Sequence, residues 1–390
     1  MTLVADVAIL GAGIVGAACA RECAGRGLRV LLVDSGGVGG GATAAGMGHI
    51  VVMDDSPAQL ALTRYSQSLW HQLAPQLPPA AEFDSCGTLW IAVDEEEMSE
   101  VRRKRALYAS VGVATEVLDS QTLAEAEPQL RPSLAGALRV PSDAVLYPPC
   151  AAAYLLEDAV HLGAQVLLRR PVQSAGSGRI RLENGEEIHA ARIVNACGAD
   201  AARLSPGLPL RKRRGHLVIT DRYPGFVRHQ LVELGYLKSA HTLTTESIAF
   251  NVQPRRTGQL LIGSSREFGA ETSAVNHTLL AAMLERAQSY LPQLGELQAI
   301  RVWTGFRAAT PDKLPLIGPS LDDDTVVLAT GHEGLGITTS LATAKLVAAA
   351  LLGEPAPIPA EPYLPSRFPA SPAAAGHAPA LESLAEQSHV

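Results

Sequence analysis

An apolar run, Leu3 to Leu10, enters Gly11-Ala12-Gly13-Ile14-Val15-Gly16, and Asp34 closes the next apolar run, Arg29 to Asp34. No other feature of the chain constrains its fold as much. A continuous apolar run of this length suits an interior parallel strand buried on both faces. Gly11 allows a tight turn, Gly13 lets the backbone approach a pyrophosphate, and Gly16 lets the following helix pack against the strand. That helix is predicted from Ile14 to Arg26, with small Ala17, Ala18 and Ala20 on it and Gly27 as its stop. Its first turn offers N–H groups and partial positive charge to phosphates. Asp34 lies about twenty residues beyond the first glycine, where a carboxylate accepts hydrogen bonds from a ribose 2′-OH and disfavours a 2′-phosphate. The unit predicts a dinucleotide site and leaves NAD and FAD open.

With 390 residues the chain suits two intimately joined domains around a substantial core. A net charge of −7 provides no basic footprint, which argues against nucleic acid as a partner. The start, Met1 to Asp6, lacks the basic flank of a secretory signal. No apolar segment runs uninterrupted for a membrane span; Leu341 to Leu352 contains Lys345 and reads as a core helix. The five cysteines are scattered without metal-ligand spacing, so no metal is expected and a reducing cytoplasm is the simple location.

Further along, the nucleotide unit ends in a loop of small residues, Ser35 to Gly48, followed by a helix over 58–73. A strand over 87–93, a charged helix over 95–111 and a short helix over 118–128 come next. Then follow a helix over 154–162, strands over 164–168 and 188–195, and a hairpin turn at Asn184-Gly185. Strands over 217–220, 248–252 and 260–263, a helix over 276–290, a strand over 325–329 and a helix over 337–352 complete the pattern. The expected fold class is α/β: a discontinuous Rossmann-like domain over 1–85, 145–215 and 318–353, and a mostly antiparallel β-sheet substrate domain over 86–144 and 216–317. Residues 354–390 read as a Pro/Ala-rich flexible tail.

Two late segments bear on which dinucleotide binds. Val194-Asn195-Ala196-Cys197-Gly198 ends a strand on glycine, and Gly331-His332-Glu333-Gly334-Leu335-Gly336-Ile337-Thr338 opens a second helix. A second glycine-rich helix start is hard to explain for NAD. A flavin ring gathers negative charge at N1 and C2=O when reduced, and a helix N-terminus stabilises it there.

With these segments, Ala42-Thr43-Ala44-Ala45-Gly46-Met47, Trp303-Thr304-Gly305-Phe306-Arg307 and Pro311 to Gly318, the chain resembles the D-amino-acid oxidase superfamily of FAD enzymes over about residues 4 to 353. It is most similar to the glycine oxidase, sarcosine oxidase and D-amino-acid dehydrogenase branch. Asn251-Val252-Gln253-Pro254 and Gly263-Ser264-Ser265-Arg266 are most similar to bacterial D-hydroxyproline dehydrogenase-like members. The resemblance implies an FAD-binding domain under a roofing sheet. It also implies oxidation of an amine C–N bond by hydride transfer from Cα to flavin N5, giving an imine. Favoured substrates are D-amino acids or cyclic imino acids such as D-hydroxyproline, with glycine or sarcosine as the alternative. The electron acceptor is oxygen, a quinone or a partner protein. The chain is then an oxidase or dehydrogenase acting alone, as a homo-oligomer, or as the FAD-carrying subunit of a larger complex. An NAD-dependent dehydrogenase is the reading that the late segments oppose.

By the same resemblance FAD is held by Gly11, Gly13, Ile14, Val15, Gly16, Asp34, Ser35, Thr43, Ala44, Gly46, Met47, Gly48, Val172, Ala196, Cys197, Gly198, Gly331, His332, Gly334, Gly336, Ile337 and Thr338, with Arg307 beside the flavin. Arg307 is the residue expected to hold the substrate carboxylate, a task that suits a guanidinium fork; a structural salt bridge to Asp312 is the alternative. Ala308 stands where many relatives carry proline, and Asn251 where many carry tyrosine near the substrate, which implies a more polar pocket. His49 either orients substrate, accepts a proton or bonds the backbone. His332 is a cofactor contact or a packed residue. Glu333 reads as solvent-exposed, or as a reader of a substrate ammonium. Tyr236 and Glu246 are roof candidates without a spacing argument. Arg211-Lys212-Arg213-Arg214 reads as a solvated face, or as a source of one contact to a pyrophosphate.

Overall fold

The computed structural model describes residues 3–235 and 246–369. Two eight-stranded sheets and one two-stranded sheet organise these residues. In the first, Leu3–Leu10 is central, parallel to Val30–Val33 on one side and to Glu187–Asn195 on the other. Val326–Thr330 and Gln165–Leu167 extend it, also in parallel, and antiparallel Leu316–Pro319 closes one edge. Arg179–Leu182 folds back on Glu187–Asn195 through the expected turn, where Gly185 has φ +87°. Ile9, Leu32 and Ile193 have no exposed surface, as strands covered on both faces require.

Four helices cover this sheet: Ile14–Gly25, Pro57–Leu73, Pro148–His161 and Gly336–Leu352. Ala17, Leu62, Ala151 and Ala342 from these helices meet in one core with Ile9 and Leu32. The first and last helices pack closely because alanines line both of them; Ala17, Ala20, Ala342 and Ala348 are fully buried. Local signals place the ends. Ser56 Oγ accepts from Gln59 N at 3.1 Å, Asn276 Oδ1 accepts from Leu279 N at 3.1 Å, and Gly353 ends the closing helix with φ +67°.

The second sheet runs Ala299–Ala309, Arg211–Thr220, Leu260–Phe268, Glu246–Pro254, Gln230–Glu233, Thr88–Ala92, Gly136–Val140, Glu116–Asp119. All its pairings are antiparallel except Gln230–Glu233 with Thr88–Ala92. Its strands are longer than their apolar cores suggest. Arg211–Thr220 belongs wholly to this sheet, so the boundary expected at 215 falls inside a strand. The helix expected over 118–128 is replaced at its start by the edge strand Glu116–Asp119. Asp119 then caps a shorter helix, Ser120–Ala126, accepting from Thr122 N at 2.8 Å.

Three expectations for charged or terminal segments are corrected. The strand Arg211–Thr220 is exposed only over its first two residues and is covered on both faces from Arg213 onward, so only half of the arginine run is solvated. Arg213 and Arg214 are buried and paired with Glu333 and Glu267, both at 2.7 Å, while Arg211 and Lys212 stay exposed. Glu333 is therefore mostly buried rather than a solvated charge, its side chain 16% exposed. The tail does not leave the body at 354. Tyr363 is buried and donates to Ala58 O at 2.7 Å, and Arg367 pairs with Asp312 at 2.6 Å. Residues 370–390 of the expected tail lie outside the described residues. Among the described residues no helix is long and apolar enough to cross a membrane, and no cluster of metal-ligating side chains occurs.

Candidate active site

Both sheets line one cavity of about 920 Å³. At one end lies the glycine turn. Gly11 has φ +108°, and a Cβ there would stand 2.6 Å from Ala196 O; a Cβ on Gly16 would stand 1.9 Å from Gly11 O. Neither position admits a side chain, so turn, helix and the strand end at Ala196 are in backbone contact. Ile14 N donates to Thr43 Oγ1 at 3.0 Å, which ties the helix start to the small-residue loop. Asp34 does more than end its strand. Its carboxylate accepts from Ala12 N at 2.7 Å and Gly36 N at 2.6 Å, bracing the turn while leaving acceptor capacity for a ribose hydroxyl.

Of the residues assigned to the cofactor, Gly11, Gly13, Ile14, Val15, Asp34, Ser35, Thr43, Gly46, Met47, Gly48, Val172, Ala196, Cys197, Gly198, His332, Gly334, Gly336 and Ile337 line the cavity together with Arg307. Gly16, Ala44, Gly331 and Thr338 do not line it. Gly16 serves the close helix contact, and Ala44 is exposed. Gly331 supplies a turn with φ +77°, and buried Thr338 donates from Oγ1 to His49 O at 2.7 Å. Burial pushes the Cys197 thiol up to about 12, so it packs as an inert group. The donor set fits a dinucleotide. Glycines stand where side chains would strike backbone, an acid ends the second strand, and the first turns of two helices, at Ile14 and Gly336, line the same cavity.

The roof holds the chemistry-bearing side chains. Arg307 lies on Ala299–Ala309 opposite Arg213, and its strand runs on through Ala308 and Ala309, so the missing proline leaves the pairing intact. Its guanidinium crosses Gly215, where a Cβ would meet Nη1 at 2.2 Å, and donates to Ser265 O at 3.0 Å. The salt bridge to Asp312 does not form, because Arg367 takes that carboxylate. Glu333 is likewise taken by Arg213. Arg307 thus brings a charge into the cavity with a neutral carbonyl as its hydrogen-bond partner, and burial holds its pKa below the ordinary arginine value, partly offset by the nearby Glu333 carboxylate that Arg213 holds.

His49 lines the cavity with Nε2 buried and unpartnered. Burial, reinforced by the Arg307 charge, pushes its pKa down to about 4. At neutral pH it is an uncharged hydrogen-bonding group, and a poor proton acceptor. His332 sits against the Gly336 turn and contacts Thr343 Oγ1 at 3.0 Å; burial likewise pushes it down to about 4. Asn251 is buried on the roof and lines the cavity. Glu246 is exposed and off the cavity, and Tyr236 lies outside the described residues.

Sequence reasoning missed Asp55, Gln59, Trp90, Gln230 and Arg266, all on the cavity wall. Trp90 occurs in a segment whose strand character was legible, but which face of it meets the cavity was not, and Arg266 lies in the extension to Phe268 of the strand expected over 260–263. Trp90 is held in place by a group that the charge pattern of the 95–111 helix concealed. Lys104 is fully buried, its Nζ 4.5 Å from the Trp90 ring and 4.9 Å from the Tyr108 ring, and paired with the buried Asp54.

The two depressed histidines link stability to pH. Each binds its proton in the unfolded chain near pH 6.5 but in the folded chain only near 4. Their contribution is present above about pH 6.5 and is lost as pH falls toward 4, by about 2 kcal/mol per histidine at about pH 5. Chemical denaturation of the His49→Gln/His332→Gln variant at about pH 7 and about pH 5 is expected to show a flatter dependence than the parent. Asp143, buried and pushed up to about 7, acts in the opposite sense in both proteins and cancels. Equal steepness in variant and parent would remove the assignment.

A dinucleotide turn under an antiparallel roof, with an arginine and a neutral histidine over the cavity, defines a nucleotide-dependent oxidoreductase. The chain belongs to the DAO family of FAD dependent oxidoreductases, whose model matches residues 6–350. FAD is accordingly its cofactor. The chain is 27% identical over 423 residues to hydrogen cyanide synthase subunit HcnC of Pseudomonas aeruginosa, covering 95% of this chain and 97% of HcnC. It is 30% identical over 357 residues to glycine oxidase of Geobacillus kaustophilus, covering 88% and 92%. The crystal structure of glycine oxidase from that organism superposes with a TM-score of 0.83 at 27% identity, covering 94% of this chain and 100% of that one.

Proposed function

We propose that the enzyme oxidises a small amino or imino acid at its C–N bond, releasing an imine, with D-amino acids and cyclic imino acids such as D-hydroxyproline as the favoured class. The observation that carries this reading is Arg307. A guanidinium drawn into a cavity against a neutral carbonyl is costly until an anion meets it, and a carboxylate does so through two parallel N–H···O bonds. When bound, FAD would supply the acceptor for the hydride from Cα, which carries the two electrons of the oxidation. The chain's own residues orient the substrate. Arg307 fixes the carboxylate, neutral His49 offers a hydrogen bond without adding charge, and the roof excludes water from the reacting carbon. A polar Asn251 on that roof favours a polar or cyclic substrate over a plain apolar side chain. The glycine oxidase relatives support the amino-acid class, and HcnC, named a subunit, supports a second possibility for assembly, an FAD-carrying chain within a larger complex.

The test is anaerobic bleaching of the bound flavin by glycine, sarcosine, D-proline, D-hydroxyproline and D-alanine. Reduction is expected with the cyclic imino acids at lower concentration than with glycine or sarcosine. A flavin that no amine bleaches would overturn the reading. Turnover with artificial dyes by the chain alone, set against the chain co-expressed with partners, separates the solitary enzyme from the subunit.

A further inference from the structure

Trp90, Gln230 and Asn251 each carry a buried polar atom without a hydrogen-bond partner, and all three residues line the cavity. They are neighbours on the roof. Val232 is in register with Trp90 on one side and with Asn251 on the other, and Gln230 precedes Val232 by one alternation of the strand, so it shares the same face. All three are more than nine-tenths buried, at 2%, 3% and 6% exposure. The unpartnered atoms are of two kinds. Trp90 Nε1 is a donor, while Gln230 Oε1 and Asn251 Oδ1 are acceptors. Asp55 Oδ1 adds another buried, unpartnered acceptor on the same cavity.

A charged ligand group would satisfy only one kind of atom, whereas a hydroxyl both donates and accepts. The site also lies within reach of the carboxylate position. Arg307 reaches over Gly215 to Ser265 O on Leu260–Phe268, and Asn251 stands on the next strand, in register with Gly263. Ser265 lies two residues from Gly263, so the diagonal between the two positions is about 7–8 Å, which a five-membered ring bearing a carboxylate and a hydroxyl spans with a hydrogen bond at each end. Trp90 is clamped by buried Lys104, so its N–H has a fixed direction.

We infer that Trp90, Gln230 and Asn251 form a second polar subsite, which receives a hydroxyl group of the substrate remote from the carboxylate held by Arg307. The inference rests on the imino-acid reading above and narrows it to hydroxylated substrates. Trp90 is then a specificity-determining residue, its indole N–H donating to the hydroxyl oxygen, and one amide oxygen, that of Asn251 or Gln230, accepts the hydroxyl proton.

The test compares D-hydroxyproline with D-proline on the FAD-loaded enzyme. Dissociation constants are taken from anaerobic flavin absorbance, and ligand-induced shifts in melting temperature provide a readout independent of turnover. The parent enzyme is expected to prefer the hydroxylated compound by about tenfold or more, the worth of one to two well-placed hydrogen bonds. Trp90→Phe, which keeps the ring and removes the N–H, and Asn251→Leu are each expected to reduce that preference by about tenfold, through weaker binding of the hydroxylated compound. No preference in the parent, or equal weakening of both compounds in both variants, would overturn the subsite while leaving the imino-acid reading in place. If neither compound bleaches the flavin nor shifts the melting temperature, the imino-acid reading fails and the subsite with it.

Discussion

Replacing Arg307 by alanine is expected to yield a yellow protein, with FAD retained, whose flavin is reduced by substrate about a hundred- to a thousandfold less efficiently. That range, about 3–4 kcal/mol, lies within the roughly 2–5 kcal/mol lost when one partner of a buried, hydrogen-bonded charge pair is truncated. The loss should fall mainly on the dissociation constant, because the guanidinium grips the carboxylate in ground state and transition state alike. Arg307→Lys keeps the charge but not the fork, and should recover only part of the affinity. The cofactor should survive both changes, since its grip lies in the glycine turn and the two helix starts. Rapid-reaction reduction kinetics under anaerobic conditions measure the effect, and an unchanged apparent affinity in Arg307→Ala would reject the carboxylate role.

The second large effect concerns the turn itself. Gly16→Ala would place a methyl 1.9 Å from Gly11 O. That oxygen is backbone, on a turn further fixed by Gly11 against Ala196 and by Asp34 on Ala12. No flexible side chain can yield, so helix and strand must part, and the turn loses the geometry that brings N–H groups to a phosphate. The expected product is a folded but largely colourless protein. Its FAD occupancy should fall about tenfold or more, and its stability by about 1–3 kcal/mol, as overpacking at a rigid contact costs. The ratio of flavin to protein absorbance after purification checks this, and full occupancy would reject the packing argument.

Much of the architecture was legible because it is written in local signals. Leu3 to Leu10, the glycine turn and Arg29 to Asp34 announce their strands and helix through length, apolarity and spacing. Ala17, Ala18 and Ala20 announce a helix that packs closely. What stayed hidden depends on register across the roof. Four adjacent basic residues look like a solvated face until the covered part of the strand pairs Arg213 with Glu333 and Arg214 with Glu267. Glu333 looked exposed for the same reason, its partner being more than a hundred positions away in the chain. Lys104 sits in a helix rich in exposed charge, and nothing near it in sequence signals that two aromatic rings and Asp54 enclose it. At the site, Arg307 was identifiable from its motif, whereas Trp90 and Gln230 belong to it only through the parallel pairing of Thr88–Ala92 with Gln230–Glu233.

The strand order of the first sheet has a consequence for how the protein is made. Leu3–Leu10 leaves the ribosome well before its neighbour Glu187–Asn195, and Val326–Thr330 follows later still. At about 5–20 residues per second, the nascent turn waits for tens of seconds before the last helix start exists. Both helix starts that line the cavity exist only once the segment around Gly336 has been made. A messenger cut short, or a nascent polypeptide clipped before its final helix, yields a product that holds at most one end of the flavin nucleotide.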